Sequence, residues 1–449
     1  MAKIVITYGT FDMFHIGHLN ILKRAKALGD KLIVGVTSED YDRSRGKLNV
    51  VQSLEERIQT IKELDFVDKV IIEKHKNQKQ VDIKKHQVNE FVIGDDWLGK
   101  FDYLKEYCTV IYLPRTDGIS STLLRESIEN VKVGIIGAGR IAKRFIEESK
   151  FVNNMEVHSI MSPNIKNVKI FLQDNDILYG FDKLNEFLDS DITAVYIASP
   201  HEFHYVQAKA ALEAGKHVLC EKPATLDAEQ LLELINIAKS KDLVFLEAMK
   251  TAFFPAFTKL IEELQNGAIG EIKEVRATFT KLVDDKNSRE WQNTYGGATN
   301  ELASYPLLLA QKVLPQIKTT NFYDNIKNGL DSSNMIISTH KDGSFSIATV
   351  GIGLKSEGCA VISGTKGYVY IPAPWWLTKD FYFRFEDPNK EFSFHYNFEG
   401  DGLRYEISEF ISLIQRGKIE SSKLEIRDML EINKVISSYN QYRTSKDFE

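Results

Sequence analysis

A short β-branched run that passes through a glycine-bearing turn into an amphipathic helix occurs twice in this chain, once near residue 3 and again at residue 131. Each such opening fixes a strand, a loop and a helix in that order, and repeats of the unit build a parallel, doubly wound sheet. The first opening reads KIVITY (3–8) and GTFD (9–12), followed by a helical stretch from Ile16 in which Leu19, Leu22, Ala25 and Leu28 recur at helical spacing before Gly29. LIVGV (32–36), VDKVII (67–72) and EFVIGDD (90–96) continue the alternation. The second opening reads VKVGIIGAGRIAKRFIEES and starts a new α/β domain. Between them the helical segment SSTLLRESIENV has no Pro/Gly/Ser-rich linker, which sets the boundary near Asn130 and predicts closely joined domains. From about residue 251 the pattern changes to long strand-like runs, EIKEVRATFTKL, SFSIATVGIG and GYVYIP, which predict a largely antiparallel sheet with flanking helices.

At roughly 150 residues per domain, 449 residues accommodate three domains: 1–130, 131–250 and 251–449. Lys and Arg number 57 against 63 Asp and Glu, a net charge of −6, so no basic face points to nucleic acid. Cys108, Cys220 and Cys359 are odd in number and lack CxxC spacing, as expected of reduced thiols rather than a disulfide framework or metal site. No signal-peptide pattern opens the chain and no window approaches 18 uninterrupted apolar residues, which predicts a cytoplasmic protein without membrane insertion.

His15 and His18, in HIGH at the start of the first helix, read as a phosphate site, with chance or a pair of capping histidines as the alternative for the motif taken alone. Helix N-terminal N–H groups and the dipole favour anions there, and imidazoles three residues apart can share a helical face and donate to a phosphoryl group as its charge grows. Taken in order, GTFD (9–12), HIGH (15–18), GDDW (94–97) and RTDGISST (115–122) resemble the glycerol-3-phosphate cytidylyltransferase family across the whole first domain. The resemblance implies a Rossmann-like nucleotidylyltransferase fold, CTP with Mg²⁺, and a polyol phosphate as the second substrate. By position it assigns transition-state stabilisation to His15 and His18, triphosphate contacts to Gly9 and Thr10, and a second phosphate motif to Arg115, Ser120 and Thr122. It places Lys47 on a substrate-reaching loop and Arg57 near the phosphates, with an exposed helical salt bridge as the alternative for Arg57. Asp95 and Trp97 follow a strand end, where such sheets bind ligands. Ser121 stands where the family usually has threonine, which keeps the hydroxyl.

GAGRIA (137–142) fills the GxGxxA dinucleotide fingerprint between a strand and a helix, with Gly137 for the tight turn, Gly139 for pyrophosphate approach and Ala142 for helix packing. The next strand ends in Ser162 to Asn164 rather than an acidic residue, so nothing there excludes a 2′-phosphate; with Lys166 nearby the expected cofactor is NADP(H), with NAD(H) also open. AVYIASPHEFHYVQAKAALEAGKHVLCEKPATL then resembles the glucose–fructose oxidoreductase and inositol dehydrogenase family. Later segments have counterparts in its dihydrodiol dehydrogenase branch. The resemblance implies Lys222 of EKP as the residue that positions the substrate oxygen, Tyr305 as general acid, cofactor contacts by Gly137, Gly139, Arg140, Ile141, Ser162, Ser199, His204, Glu221 and Lys222, and dimerisation through the large sheet. No metal ligand set is expected. Ala298, Glu301 and Ala303 replace the family's glycine, aspartate and glycine, and Ala252 stands where the branch has arginine, which points to a changed substrate.

The expected fold class is therefore α/β: a nucleotidylyltransferase domain, an NAD(P)-binding Rossmann domain, and an α+β substrate domain with a large, mostly antiparallel sheet. The expected function is bifunctional. Reduction of a small carbonyl compound to an alditol precursor would feed CTP activation of a polyol phosphate to a CDP-alditol for teichoic-acid-like or capsular polymers, in a homodimer or higher homo-oligomer. The alternative is an active cytidylyltransferase whose C-terminal region binds NAD(P) for a dimerising or sensing role without turnover.

Overall fold

The computed structural model describes residues 2–44, 50, 52–75, 77–114, 130–175, 177–283, 288–292, 295–396 and 400–446. The chain divides into two compact units, Met1–Asn130 and Val131–Glu449.

In the first unit five parallel strands, β1 (Ile4–Gly9), β2 (Lys31–Thr37), β3 (Lys69–Glu73), β4 (Glu90–Gly94) and β5 (Thr109–Leu113), lie in the order β3-β2-β1-β4-β5. The strands are apolar at consecutive positions because both sheet faces are covered. Val5, Leu32, Val34 and Val36 face Leu22, Ala25 and Ile61 on one side, whereas Ile6, Ile33 and Phe91 face Ile83, Val88 and Leu104 on the other. The strand order reverses between β1 and β4, so the crevice beyond their C-terminal ends is the place for a ligand. The helix Ile16–Lys26 starts at that edge. The SSTLLRESIENV segment lies outside the described residues except Asn130 and Val131.

The second unit opens with six parallel strands, β6 (Val131–Ile136), β7 (Met155–Met161), β8 (Tyr179–Phe181), β9 (Ala194–Ile197), β10 (His217–Glu221) and β11 (Phe245–Ala248), in the order β11-β10-β9-β6-β7-β8. Its switch point falls between β6 and β9. An eight-stranded sheet follows, built from β12 (Ile272–Lys281), β13 (Ile317–Lys327), β14 (Leu330–His340), β15 (Phe345–Ile352), β16 (Ala360–Gly364), β17 (Gly367–Ile371), β18 (Asp380–Phe385) and β19 (Glu391–His395). The pairing is antiparallel apart from β12 with β15, so the sheet is mixed. The two sheets share one compact unit. Helix Leu403–Gln415 packs on helix Arg140–Ser149, where buried Arg404 grips Glu148 through Nε and Nη2, each 2.9 Å from a carboxylate oxygen.

Candidate functional sites

The turn after β1 is shaped by backbone that few residues accept: Phe11 and Met13 have φ of 53° and 48°. Gly9 has no Cβ because one would stand 2.9 Å from the Phe11 ring, which is itself buried and edge-on to His18 at 5.5 Å. Asp12 is buried and accepts from Gln52 N, and Met13 N donates to Gln52 Oε1, so the turn is tied to the start of helix Leu54–Lys62. His15 caps helix Ile16–Lys26: its Nδ1 accepts from Gly17 N at 3.1 Å. That bond fixes the tautomer, so Nε2 carries the proton and is the donor. The rings of His15 and His18 stack at 3.9 Å with 21° between planes. The pair predicted from HIGH is thus brought together at the switch point, on one helix edge.

Arg57 does something the sequence did not reveal. It is fully buried, and its Nη1 donates to Thr10 O at 2.7 Å and Thr37 O at 2.9 Å while Nε donates to Gln52 O. The exposed salt bridge considered for it is therefore corrected: the guanidinium is directed at backbone carbonyls of the turn. Asp42, also buried, lies 3.6 Å from Arg57 and accepts from Thr10 Oγ1 at 2.9 Å and Thr37 Oγ1 at 2.8 Å. No local signal marks Asp42, which is 32 residues from Thr10. A second buried set, Tyr8 donating to Asp82 and Lys79 paired with Glu73, lies at the ends of β1 and β3, and burial together with Asp82 pushes the Tyr8 phenol well up. Asp95 and Trp97 form a single 3₁₀ turn directly after β4; Asp95 is exposed and Trp97 packs on Phe101 at 5.6 Å. Lys47, Arg115, Ser120 and Thr122 lie outside the described residues.

In the second unit Gly137 has φ +107°, and a Cβ there would meet Ala198 O at 2.7 Å; Gly139, which starts helix Arg140–Ser149, would put a Cβ into open space. Both conditions fit a pyrophosphate lying against the turn and the helix N-terminus. Ala142 is fully buried against the sheet, and Ile141 is half-buried. Arg140 is exposed and points to Glu290 at 3.5 Å. Ser162 is buried and accepts from Asn164 N, Ser199 Oγ donates to Gln207 Oε1, and Glu221 accepts from Tyr196 OH at 2.6 Å. The His204 ring is fully buried, and both its nitrogens face backbone carbonyls.

Lys222 follows β10 and donates from Nζ to Glu301 O at 2.7 Å, with the ammonium 5.9 Å from the Tyr305 ring centroid. Burial pushes the Tyr305 phenol far up, helped by the carboxylates of Glu221 and Glu406, so it stays protonated and available as a donor. The substituted positions are all interior: Ala252, Ala298 and Ala303 are packed in the core, and the Glu301 carboxylate faces His201 Nε2 at 3.8 Å. It is the Glu301 backbone that anchors Lys222, which a residue-by-residue comparison cannot see. Among the described residues no helix is long and apolar enough to cross a membrane, and no group of three or more His, Cys, Asp or Glu is placed to hold a metal.

Comparison with known proteins divides the chain in the same way. Residues 6–127 match the cytidylyltransferase-like family, and residues 131–249 match the oxidoreductase family with an NAD-binding Rossmann fold. Over 129 residues the chain is 53% identical to glycerol-3-phosphate cytidylyltransferase of Bacillus spizizenii, covering 29% of this chain and 99% of that protein. Over 304 residues it is 29% identical to trans-1,2-dihydrobenzene-1,2-diol dehydrogenase of Bos taurus, covering 64% of this chain and 89% of that one. A 3-ketoreductase from Actinomadura kijaniata, solved with NADP and TDP-benzene, shares its fold over 69% of this chain and 97% of its own at a TM-score of 0.62 and 22% identity. Levoglucosan dehydrogenase in complex with NADH and levoglucosan does so over 71% and 98% at a TM-score of 0.63 and 19% identity. The chain therefore belongs, through its first unit, to the cytidylyltransferase-like family, and it joins to that enzyme domain, in one polypeptide, an NAD(P)-dependent oxidoreductase domain of the Rossmann type.

Proposed function

We propose that the first unit transfers a cytidylyl group from CTP to a polyol phosphate and that the second reduces a small carbonyl compound to the alditol precursor of that phosphate. The stacked His15–His18 pair at the switch point carries the first half of this reading. A phosphate oxygen of the polyol phosphate bonds to the α-phosphorus of CTP, the bond to the β-phosphate bridging oxygen breaks, and pyrophosphate leaves. His15 donates from Nε2 and His18 from the same edge to the oxygens whose charge grows. Arg57 and Asp42 hold the Thr10 backbone and hydroxyl that border this site. Arg115, Ser120, Thr122 and Lys47 complete it by family position, and Mg²⁺ accompanies the nucleotide.

The second half rests on Lys222 and Tyr305. Bound NADP(H) or NAD(H) supplies the hydride. Lys222 donates to the carbonyl oxygen and fixes its direction, and Tyr305, kept protonated by burial, gives the proton that the nascent alkoxide needs. Gly137, Gly139, Arg140, Ile141, Ser162, Ser199 and Glu221 border the cofactor. The strand register sets Tyr323, Met335, Phe345, Tyr368 and Tyr370 on one face of the eight-stranded sheet, and all five are exposed, which supports pairing of that face with a second copy of the chain. A CDP-alditol is a donor for surface polymers.

The test is incubation with CTP, Mg²⁺, NADPH and a panel of ketose and aldose phosphates and their unphosphorylated forms, with products identified by mass. A CDP-linked product that forms from a carbonyl compound only with NADPH is expected. Product from glycerol-3-phosphate without any NADPH consumption on the panel would overturn the reductase half and leave the transferase half standing.

A further inference from the structure

His204, on helix His201–Glu213, lies between two main-chain acceptors: Nδ1 is 2.8 Å from Pro223 O and Nε2 is 2.9 Å from Ser199 O. A carbonyl oxygen only accepts, so each contact needs a ring N–H, and a neutral imidazole has one. With one proton, a ring lone pair would face an oxygen lone pair at hydrogen-bond distance in a site closed to water. The two carbonyls belong to the segments that build the second site. Pro223 follows Lys222, and Ser199 follows Ala198, whose oxygen abuts Gly137 in the dinucleotide turn. His201 stands edge-on to the ring at 5.5 Å, and beyond it the Glu301 carboxylate faces His201 while the Glu301 carbonyl holds Lys222; Glu247 accepts from Ala224 N, next to Pro223.

We infer that His204 is held as an imidazolium and acts as a positioning residue, a doubly donating clamp that ties the Pro223 carbonyl, one residue past Lys222, to the Ser199 carbonyl beside the dinucleotide turn. The inference takes the Lys222 site as a hydride-transfer site. With one N–H lost, one carbonyl is released and Lys222 is free to shift against the nicotinamide position, and a misplacement of about 1 Å costs up to roughly 100-fold in rate.

Magic-angle-spinning NMR on the full chain labelled at its histidines with ¹⁵N, with the His204 ring assigned through contacts to the Pro223 and Ser199 carbonyl carbons, reads the charge directly. Two protonated ring nitrogens at neutral pH are expected; one protonated and one bare nitrogen overturn the inference. His204→Gln can satisfy one carbonyl, and it is expected to lower kcat for NADPH oxidation about tenfold while KM for NADPH changes less than about twofold. An unchanged kcat overturns the positioning role even for a charged ring. A wild-type chain that oxidises no NADPH on any carbonyl defeats the reductase reading instead, and the ring-nitrogen measurement still decides whether the clamp is charged.

Discussion

Single side chains in this protein work through what lies behind them. His15 keeps its proton on Nε2 because Gly17 N occupies its Nδ1, and His18 packs against the Phe11 and Phe14 rings. His18→Ala is expected to lower CTP-dependent pyrophosphate release with glycerol-3-phosphate by about 100- to 1,000-fold, the cost of removing one preorganised donor, with the thermal midpoint little changed. Arg57 is the opposite case. It sits in the interior with Asp42, so Arg57→Leu removes a cation 3.6 Å from a buried carboxylate and the donors that Arg57 supplies to three backbone carbonyls. A loss of about 3–5 kcal/mol is expected in chemical unfolding of the first unit, and a wild-type-like midpoint would remove the clamp from the account.

At the scale of elements, strand ends carry the titratable groups. Glu247 lies at the end of β11, fully buried, with Ala224 N donating to Oε1 at 2.9 Å, and burial raises its carboxyl from 4.5 to about 7. The fold therefore favours the protonated form. Its contribution is full below the unfolded carboxylate range and is lost as pH rises towards 7. Glu247→Gln keeps the acceptor and removes the charge, so the variant should be more stable than wild type at about pH 8, by up to about 3 kcal/mol, and equal to it near pH 4. Thermal melts at the two pH values check this, and equal midpoints at both would mean that the carboxylate is solvated. In the eight-stranded sheet, Tyr368→Glu puts a charge on the exposed aromatic face; the expected outcome is a shift to lower mass in sedimentation at fixed concentration, with the melt unchanged.

For the whole molecule, the division at Asn130 makes the two chemistries separable by mutation. Lys222→Ala is expected to abolish NADPH oxidation while CTP transfer to glycerol-3-phosphate proceeds at the parental rate, and His18→Ala to do the reverse. Both rates measured on the same preparations check the pair, and a transferase rate that falls with Lys222→Ala would mean that the two activities are not independent.

Much of this arrangement was legible without coordinates, because it rests on local chemistry. Alternating β-branched runs and helical spacing specify parallel sheets; Gly137 is demanded by a turn with positive φ; HIGH sets two imidazoles on one edge whatever surrounds them. β5 was not anticipated: TVIYL is five residues long and its preceding 3₁₀ turn carries no helical period. The parallel pairing of β12 with β15 is a matter of topology, since strand direction depends on a connection more than sixty residues long. Distance in sequence hid Asp42 beneath Thr10, the burial of Arg57, the Glu301 carbonyl under Lys222 and the two carbonyls around His204. Sequence by itself determined which local elements form and which residue types stand at their ends. Tertiary structure alone decided the partners of buried polar groups, because hydrogen bonds and charges in the interior are satisfied by whatever the fold brings within about 3 Å, and no pattern along the chain records that.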